Sequence, residues 1–134
     1  MLFDAAIFIN EKEISLGAPS YFIADIAANH DGDLERAKAL IWLAKEAGAD
    51  AVKFQHFTAE KIVSDFGFRA LGGQIAHQAN WKKSVFSIYK QYECDIRWTD
   101  DLIETAHAAK VHFFTTPYDF DVVEVLDSRL PAYK

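Results

Sequence analysis

A single cysteine, Cys94, leaves the chain unable to close a disulfide on itself, which fits a reducing compartment. Its simplest role is that of a small, partly buried apolar residue. Basic residues are scarce as well: 14 Lys and Arg stand against 20 Asp and Glu, for a formal net charge of -6 and a sequence pI of about 5.3. A general attraction to nucleic acid or to an anionic membrane surface is thereby unsupported. Lys82-Lys83 is the one basic doublet, too small for an electrostatic footprint. No uninterrupted apolar run approaches membrane-spanning length. The stretch Met1 to Asn10 has no basic leader and carries Asp4 inside a short apolar run, unlike a secretory signal. A cytoplasmic protein is expected, with neither nucleic acid nor membrane as a partner.

Several chemical fingerprints are missing too. Without a GxGxxG or GxxxxGK[ST] stretch there is no standard dinucleotide or Walker-type site. A Gly-x-Ser-x-Gly elbow is absent and Cys94 falls where a helix ends, so covalent acyl chemistry is unsupported. His30, His56, His77, His107 and His112 show no HExxH or His-x3-His spacing, and most are expected at the surface or in loops.

What remains is a globular composition, 51% apolar, 25% charged and 14% aromatic, in 134 residues that can bury one core. Ile7–Ile9 and Glu13–Ser15 read as two strands around the turn Asn10-Glu11-Lys12, a hairpin cap occupying residues 1–19. Residues 20–134 then alternate strands and helices. Tyr21 to Ala28 is a nearly continuous apolar run that suits a strand buried on both faces. Asp33 can cap a helix carrying Leu34, Ala37, Leu40, Ile41, Ala44 and Ala47 on one stripe, with Gly48 ending it in a left-handed conformation.

Ala49 to Gln55 is the next strand. A long irregular segment follows from His56 to Lys83, with Gly67, Gly72 and Gly73, and its Asn80 and Trp81 are candidates to sit over a pocket. Helical patterns return around Val85 to Tyr92 and after Thr99, the second with Leu102, Ile103, Ala106 and Ala109 as its stripe. The strand Val111 to Thr116 ends at Pro117, Asp119 opens another helix through Leu126, and Pro131 to Lys134 resembles the start of one more strand. This is a parallel α/β pattern of three to four βα units. Pattern alone leaves barrel and open sheet undecided, since such a span falls short of the roughly 250 residues of an eight-stranded barrel.

Strand alternation puts Lys53 and Gln55 on one side and Val52 and Phe54 on the other. A wet edge strand would explain the polar pair; so would a pocket walled by strand ends. If the strands are parallel neighbours, Asp25, Lys53, Gln55, Thr116 and Lys134 all lie near strand C-terminal ends. Two lysines and a hydroxyl supply donors for a phosphate or carboxylate, and Asp25 could position or exchange a proton. A buried ion pair between Lys53 and Asp25 is the competing reading.

Four segments, Tyr21 to Leu34, Ala47 to Gln55, Phe114-Thr115-Thr116-Pro117-Tyr118 and Pro131 to Lys134, together resemble the sialic acid synthase family in order and spacing. The resemblance implies the first three to four βα units of a (β/α)8 TIM barrel behind an N-terminal hairpin. It implies an enzyme that condenses phosphoenolpyruvate with an N-acetylated amino sugar, usually N-acetylmannosamine, to a nine-carbon 2-keto acid. Enolpyruvate C3 attacks the open-chain aldehyde, water adds at C2, and phosphate leaves by C–O cleavage. A divalent metal, Mn2+ or Mg2+, would polarise the aldehyde in the complete enzyme.

By the same resemblance Lys53, Thr116 and Lys134 are phosphoenolpyruvate contacts, Gln55 is a sugar-side or metal-side residue and Asn80 is similar to a sugar contact. Asp25 stands where the family usually has a glutamate that handles a proton or positions the attacking water. Aspartate is one methylene shorter, and a displacement on the order of 1 Å can cost a hundredfold in rate. By the resemblance the metal-binding histidines come from later barrel strands and a separate C-terminal antifreeze-like domain is carried by many members, neither expected within this span, so no metal ligand is expected here. The span alone is expected to be inactive as a synthase, and the protein is expected to form a homodimer. Two alternatives stay open: a Schiff-base aldolase using Lys53, and a non-catalytic half-barrel association module.

Overall fold

The computed structural model describes residues 6–71 and 77–134. Met1 to Ala5 of the leader stretch and Gly72 and Gly73 of the long segment lie outside them, as does the His77 side chain. Strands β1 (Ala6–Ile9) and β2 (Lys12–Ser15) form an antiparallel hairpin whose turn places Asn10 at φ 51, a conformation asparagine tolerates. Strands β3 (Ile23–Ala27), β4 (Ala51–His56) and β5 (His112–Pro117) form a second sheet, parallel and ordered β3-β4-β5.

Between the strands run α1 (Leu34–Glu46), α2 (Ala59–Ile62), α3 (Asp65–Ala70), α4 (Val85–Gln91) and α5 (Thr99–Ala109), with α6 (Phe120–Leu126) after β5. The expected caps hold: Asp33 accepts from the Arg36 amide, Asp119 from the Val122 amide, and Gly48 sits at φ 87. Lys134 donates its amide to the Thr115 carbonyl at 3.1 Å beside a parallel bridge between Thr115 and Tyr133, so a further strand begins where the sequence implied one.

Several expectations are corrected. The segment after β4 is not structureless, because it carries α2, α3 and a 3-10 turn over His77–Asn80. Among the described residues β3 is an edge strand with only Ile26 buried, and Ile23 is 48% exposed, so it is not covered on both faces. The wet-edge explanation for Lys53 and Gln55 fails, since β4 is the central strand and Lys53 is 2% exposed. His30 and His56 are fully buried rather than superficial.

The core lies on one face of the sheet, where Ile26, Val52, Phe54 and Phe113 meet Ala37 and Ile41 of α1 and Leu102 and Ala106 of α5. Phe54 stacks on Phe113 at 5.4 Å and on His30 at 6.4 Å between ring centroids. His56, at the end of β4, joins the polar part of this layer. Its Nδ1 lies 2.7 Å from Thr115 Oγ1, and its Nε2 lies 3.0 Å from Thr99 Oγ1 and 3.6 Å from Cys94 Sγ. Burial pushes the Cys94 thiol up to about 12, in keeping with an inert packing residue.

The hairpin closes the N-terminal end of the parallel sheet through polar contacts. Glu11 lies 3.6 Å from His112 Nε2, Tyr21 Oη lies 2.6 Å from His112 Nδ1, and Lys12 pairs with Asp50 at 3.5 Å. Asp50 also accepts the Phe22 amide at 2.9 Å, and that hydrogen bond holds its carboxyl below the usual range. The opposite end of the sheet is thereby left for chemistry.

Two predictions follow from this packing. At Gly32 (φ 74) an added Cβ would meet the Gln91 carbonyl at 2.9 Å, whereas at Gly48 (φ 87) and Gly17 nothing lies within 4 Å. In urea unfolding, Gly32→Ala is expected to cost about 2–3 kcal/mol, Gly48→Ala about 1 kcal/mol and Gly17→Ala close to nothing. Equal losses at Gly32 and Gly48 would show that the approach to α4 does not matter.

The second concerns pH. Burial, aided by the charge of nearby His30, pushes His56 down to about 4 from an ordinary 6.5. The unfolded chain therefore takes up this proton first, so the stabilisation is complete above pH 6.5 and is lost as the pH falls toward 4. Burial lowers His30 in the same sense. Between pH 7 and pH 5 the urea unfolding free energy should drop by about 2 kcal/mol through His56, and His56→Gln should flatten that slope. A free energy that stays constant over this interval would refute the assignment.

Candidate active site

The parallel register sets the site. Asp25 of β3 is paired with Lys53 of β4, Lys53 with Phe114 of β5, and Gln55 with Thr116. Side chains at paired positions of a parallel sheet share a face, so Asp25, Lys53, Gln55, Phe114 and Thr116 all project from the side opposite the α1/α5 core. Tyr21 stacks on Phe114 there at 6.2 Å.

Lys53 Nζ lies 2.6 Å from Asp25 Oδ1. The contact is an ion pair that engages one of the three ammonium donors, and the other donors have no acceptor among the described residues. The lysine side chain is 3% exposed and the aspartate 55%, so a buried cation is held by a carboxylate that still meets water. Thr116 Oγ1 is likewise buried without a hydrogen-bond partner among the described residues. Two unsatisfied donors on one face leave room for an anionic oxygen acceptor. Lys134 is exposed and tied by its backbone to Thr115, one residue from Thr116.

Beyond Asp25 the strand breaks its register between Asp25 and Ala27, and Ala27 takes a left-handed φ of 53. The Asn29 side chain steadies this bend by donating to the Ile26 carbonyl at 2.9 Å. Next to the bend opens a cavity of about 620 Å3, walled by Phe57, Trp81, Ile88, Tyr89 and Tyr92. Gln55, Asn29 and Asp31 bring polar groups to it. Of the expected site residues, Gln55 lines this cavity while Asp25, Lys53, Thr116, Lys134 and Asn80 do not. Asn80 is exposed in its 3-10 turn, and its neighbour Trp81 reaches the cavity.

Tyr118 was not singled out from the sequence, yet its hydroxyl accepts from Gln55 Nε2 at 3.3 Å. Position within the Thr-Thr-Pro-Tyr stretch was the available signal. Tyr89 and Tyr92 read as ordinary helix residues, and nothing in their spacing marks a cavity wall.

A profile of the NeuB family matches residues 40–134. The chain is 35% identical over 128 residues to the spore coat polysaccharide biosynthesis protein SpsE of Bacillus subtilis, covering 96% of this chain and 33% of that protein. The crystal structure of that SpsE superposes with a TM-score of 0.69 at 34% identity, over 96% of this chain and 32% of the other. An N,N'-diacetyllegionaminic acid synthase of Campylobacter jejuni is 36% identical over 105 residues, which is 78% of this chain and 31% of that enzyme. The N-acetylneuraminic acid synthetase of Leptospira borgpetersenii, 24% identical, shares the fold with a TM-score of 0.72 over 90% of this chain and 37% of that one. The chain thus spans about a third of the length of the curated relatives it matches. An α/β fold with a parallel sheet, like that of SpsE, and a profile match over most of its length place this chain in the NeuB family.

Proposed function

We propose that this chain is the N-terminal part of a (β/α)8 barrel enzyme that condenses phosphoenolpyruvate with an N-acetylated amino sugar, N-acetylmannosamine or a relative, releasing phosphate. The observation that carries the proposal is the shared sheet face on which the Lys53 ammonium, beyond its contact with Asp25, and the Thr116 hydroxyl are buried with donors unmet among the described residues. Membership in the NeuB family supports the reaction class.

In this scheme Lys53, Thr116 and Lys134 hold the phosphate and carboxylate oxygens of phosphoenolpyruvate, cations and a hydroxyl matching anionic acceptors. Gln55 orients the sugar, and Asn80 reaches it from the 3-10 turn. Asp25, half in water and beside Lys53, handles the proton of the water that adds at C2. A divalent cation, Mn2+ or Mg2+, supplies Lewis acidity in the whole protein. Among the described residues no group of three or more His, Cys, Asp or Glu is placed to hold one. In this scheme the residues of this span bind, orient and handle a proton. No helix among the described residues is long and apolar enough to cross a membrane. A cytoplasmic homodimer is part of the proposal.

The Schiff-base alternative requires Lys53 Nζ to give up its ion pair with Asp25 at 2.6 Å, whereas anion binding keeps that pair in place. Borohydride should accordingly trap no keto-acid adduct on Lys53.

The deciding assay is steady-state phosphate release from phosphoenolpyruvate with Mn2+ or Mg2+ and a panel of 2-acetamido sugars, run on the full gene product that carries this span. Release that depends on the sugar is expected, and Lys53→Met should lower kcat/KM by about a thousandfold or more. Absence of release with every sugar, or release indifferent to the sugar, would overturn the proposal. The 134-residue chain alone is expected to release none.

A further inference from the structure

The chain leaves β4 through α2, a single turn of four residues, Ala59–Ile62. A turn this short has no stability of its own, so its side contacts must hold it in place. On one side the Ala59 amide donates to Glu93 Oε1 at 2.5 Å, and Glu60 pairs with Lys90 of α4 at 3.0 Å. On the other, Lys61 reaches the start of α6, where its Nζ lies 3.0 Å from Asp119 Oδ1 and 2.6 Å from Asp121 Oδ2. The two carboxylates differ in setting, for the Asp121 side chain is 82% exposed and that of Asp119 only 11%. Asp119 Oδ1 also accepts the Val122 amide at 3.1 Å, and its Oδ2 is buried without a hydrogen-bond partner among the described residues. Burial pushes the Asp119 carboxyl up, but Lys61 and the helix cap outweigh it and hold the group below the usual range.

Asp119 closes the stretch Thr116-Pro117-Tyr118-Asp119, which has little slack. Pro117 fixes its own φ, and the Tyr118 amide donates to the His56 carbonyl at 3.0 Å. We propose that Lys61 is a positioning residue: by pairing with the mostly buried Asp119 it anchors this stretch to α2 and so fixes the place of the Thr116 hydroxyl on the anion face. An exposed ion pair contributes little, and the contact with Asp121 is of that kind. The contact with Asp119 is not, because without Lys61 a recessed carboxylate would stand unpaired. Its relief is for the start of α6 to move toward water, taking Tyr118 and Thr116 with it. This assignment deepens the synthase reading and rests on it only for the identity of the anion.

Amide hydrogen exchange on the full gene product, without substrate, reads the anchor directly. Lys61→Met is expected to speed exchange of the Tyr118 amide about tenfold while α1 stays unchanged, and Lys61→Arg, which keeps the charge, should restore slow exchange. Asp119→Asn retains a helix cap and drops the charge, so it should match Lys61→Met, and combining the two should add little. Asp121→Asn should change almost nothing. Calorimetry reads the consequence at the site: phosphoenolpyruvate should bind about tenfold more weakly to Lys61→Met and normally to Lys61→Arg. A Tyr118 amide indifferent to Lys61→Met, an effect of Asp121→Asn as large as that of Asp119→Asn, or unchanged binding to Lys61→Met would overturn the assignment. Wild-type protein that binds no phosphoenolpyruvate would sink the synthase reading, and the exchange rates then decide the anchor by themselves.

Discussion

Lys53 is a charged residue almost wholly withdrawn from water on the central strand of the sheet, and the surrounding structure is arranged to make this tolerable. An isolated buried ammonium costs several kcal/mol, so a carboxylate must stand within reach. Parallel register supplies it: Asp25 is the residue of β3 opposite Lys53, and the two charges meet at 2.6 Å. The same register fixes Gln55 beside Thr116. β3 then bends directly after its carboxylate, sending Ile26 into the core and turning Ala27 toward the cavity. Three strands thus bring these side chains to one face of the sheet because their hydrogen bonds put them there.

The opposite end of the sheet shows why the functional end is free. Glu11 and Lys12 of the hairpin turn engage His112 and Asp50 at the strand beginnings, while Tyr21 bridges His112 and Phe114. These contacts consume polar groups that would otherwise meet water, at the end of the sheet away from Gln55 and Thr116. Burial, with Asp50 and Glu11 nearby, pushes the Tyr21 phenol up to about 12, so its hydroxyl remains an uncharged link.

Much of this was legible in the sequence, and the rest was hidden for a definite reason. Helix caps at Asp33 and Asp119 and the stop at Gly48 are local events decided by residues three or four apart, and all three are found. The alternation of Val52 and Phe54 against Lys53 and Gln55 is equally local. Whether β4 is an edge or a centre is not, because strand order depends on partners elsewhere in the chain. His56 illustrates the limit: its ring is satisfied by Thr115 and Thr99, 59 and 43 residues away, and no spacing rule announces such a partnership. Gln55 and Tyr118, 63 residues apart, are another case. Periodicity gave the elements and, through strand alternation, the shared face of Lys53 and Gln55; the cavity wall came from packing alone.

Asp25 is where the two levels meet. A glutamate at that place would carry its carboxylate roughly 1 Å further from β3, past the lysine on the neighbouring strand. The aspartate stops at the lysine, with one oxygen on Nζ and the side chain still 55% exposed. Its free side faces solvent, so any water it activates must approach from there and not from the lysine. A shorter acid on a fixed strand therefore couples the two groups more tightly than a longer one would. Under the proposed function the cation that would hold the anion and the acid that would handle the proton form a single ion pair, so a change at either residue must be felt at both.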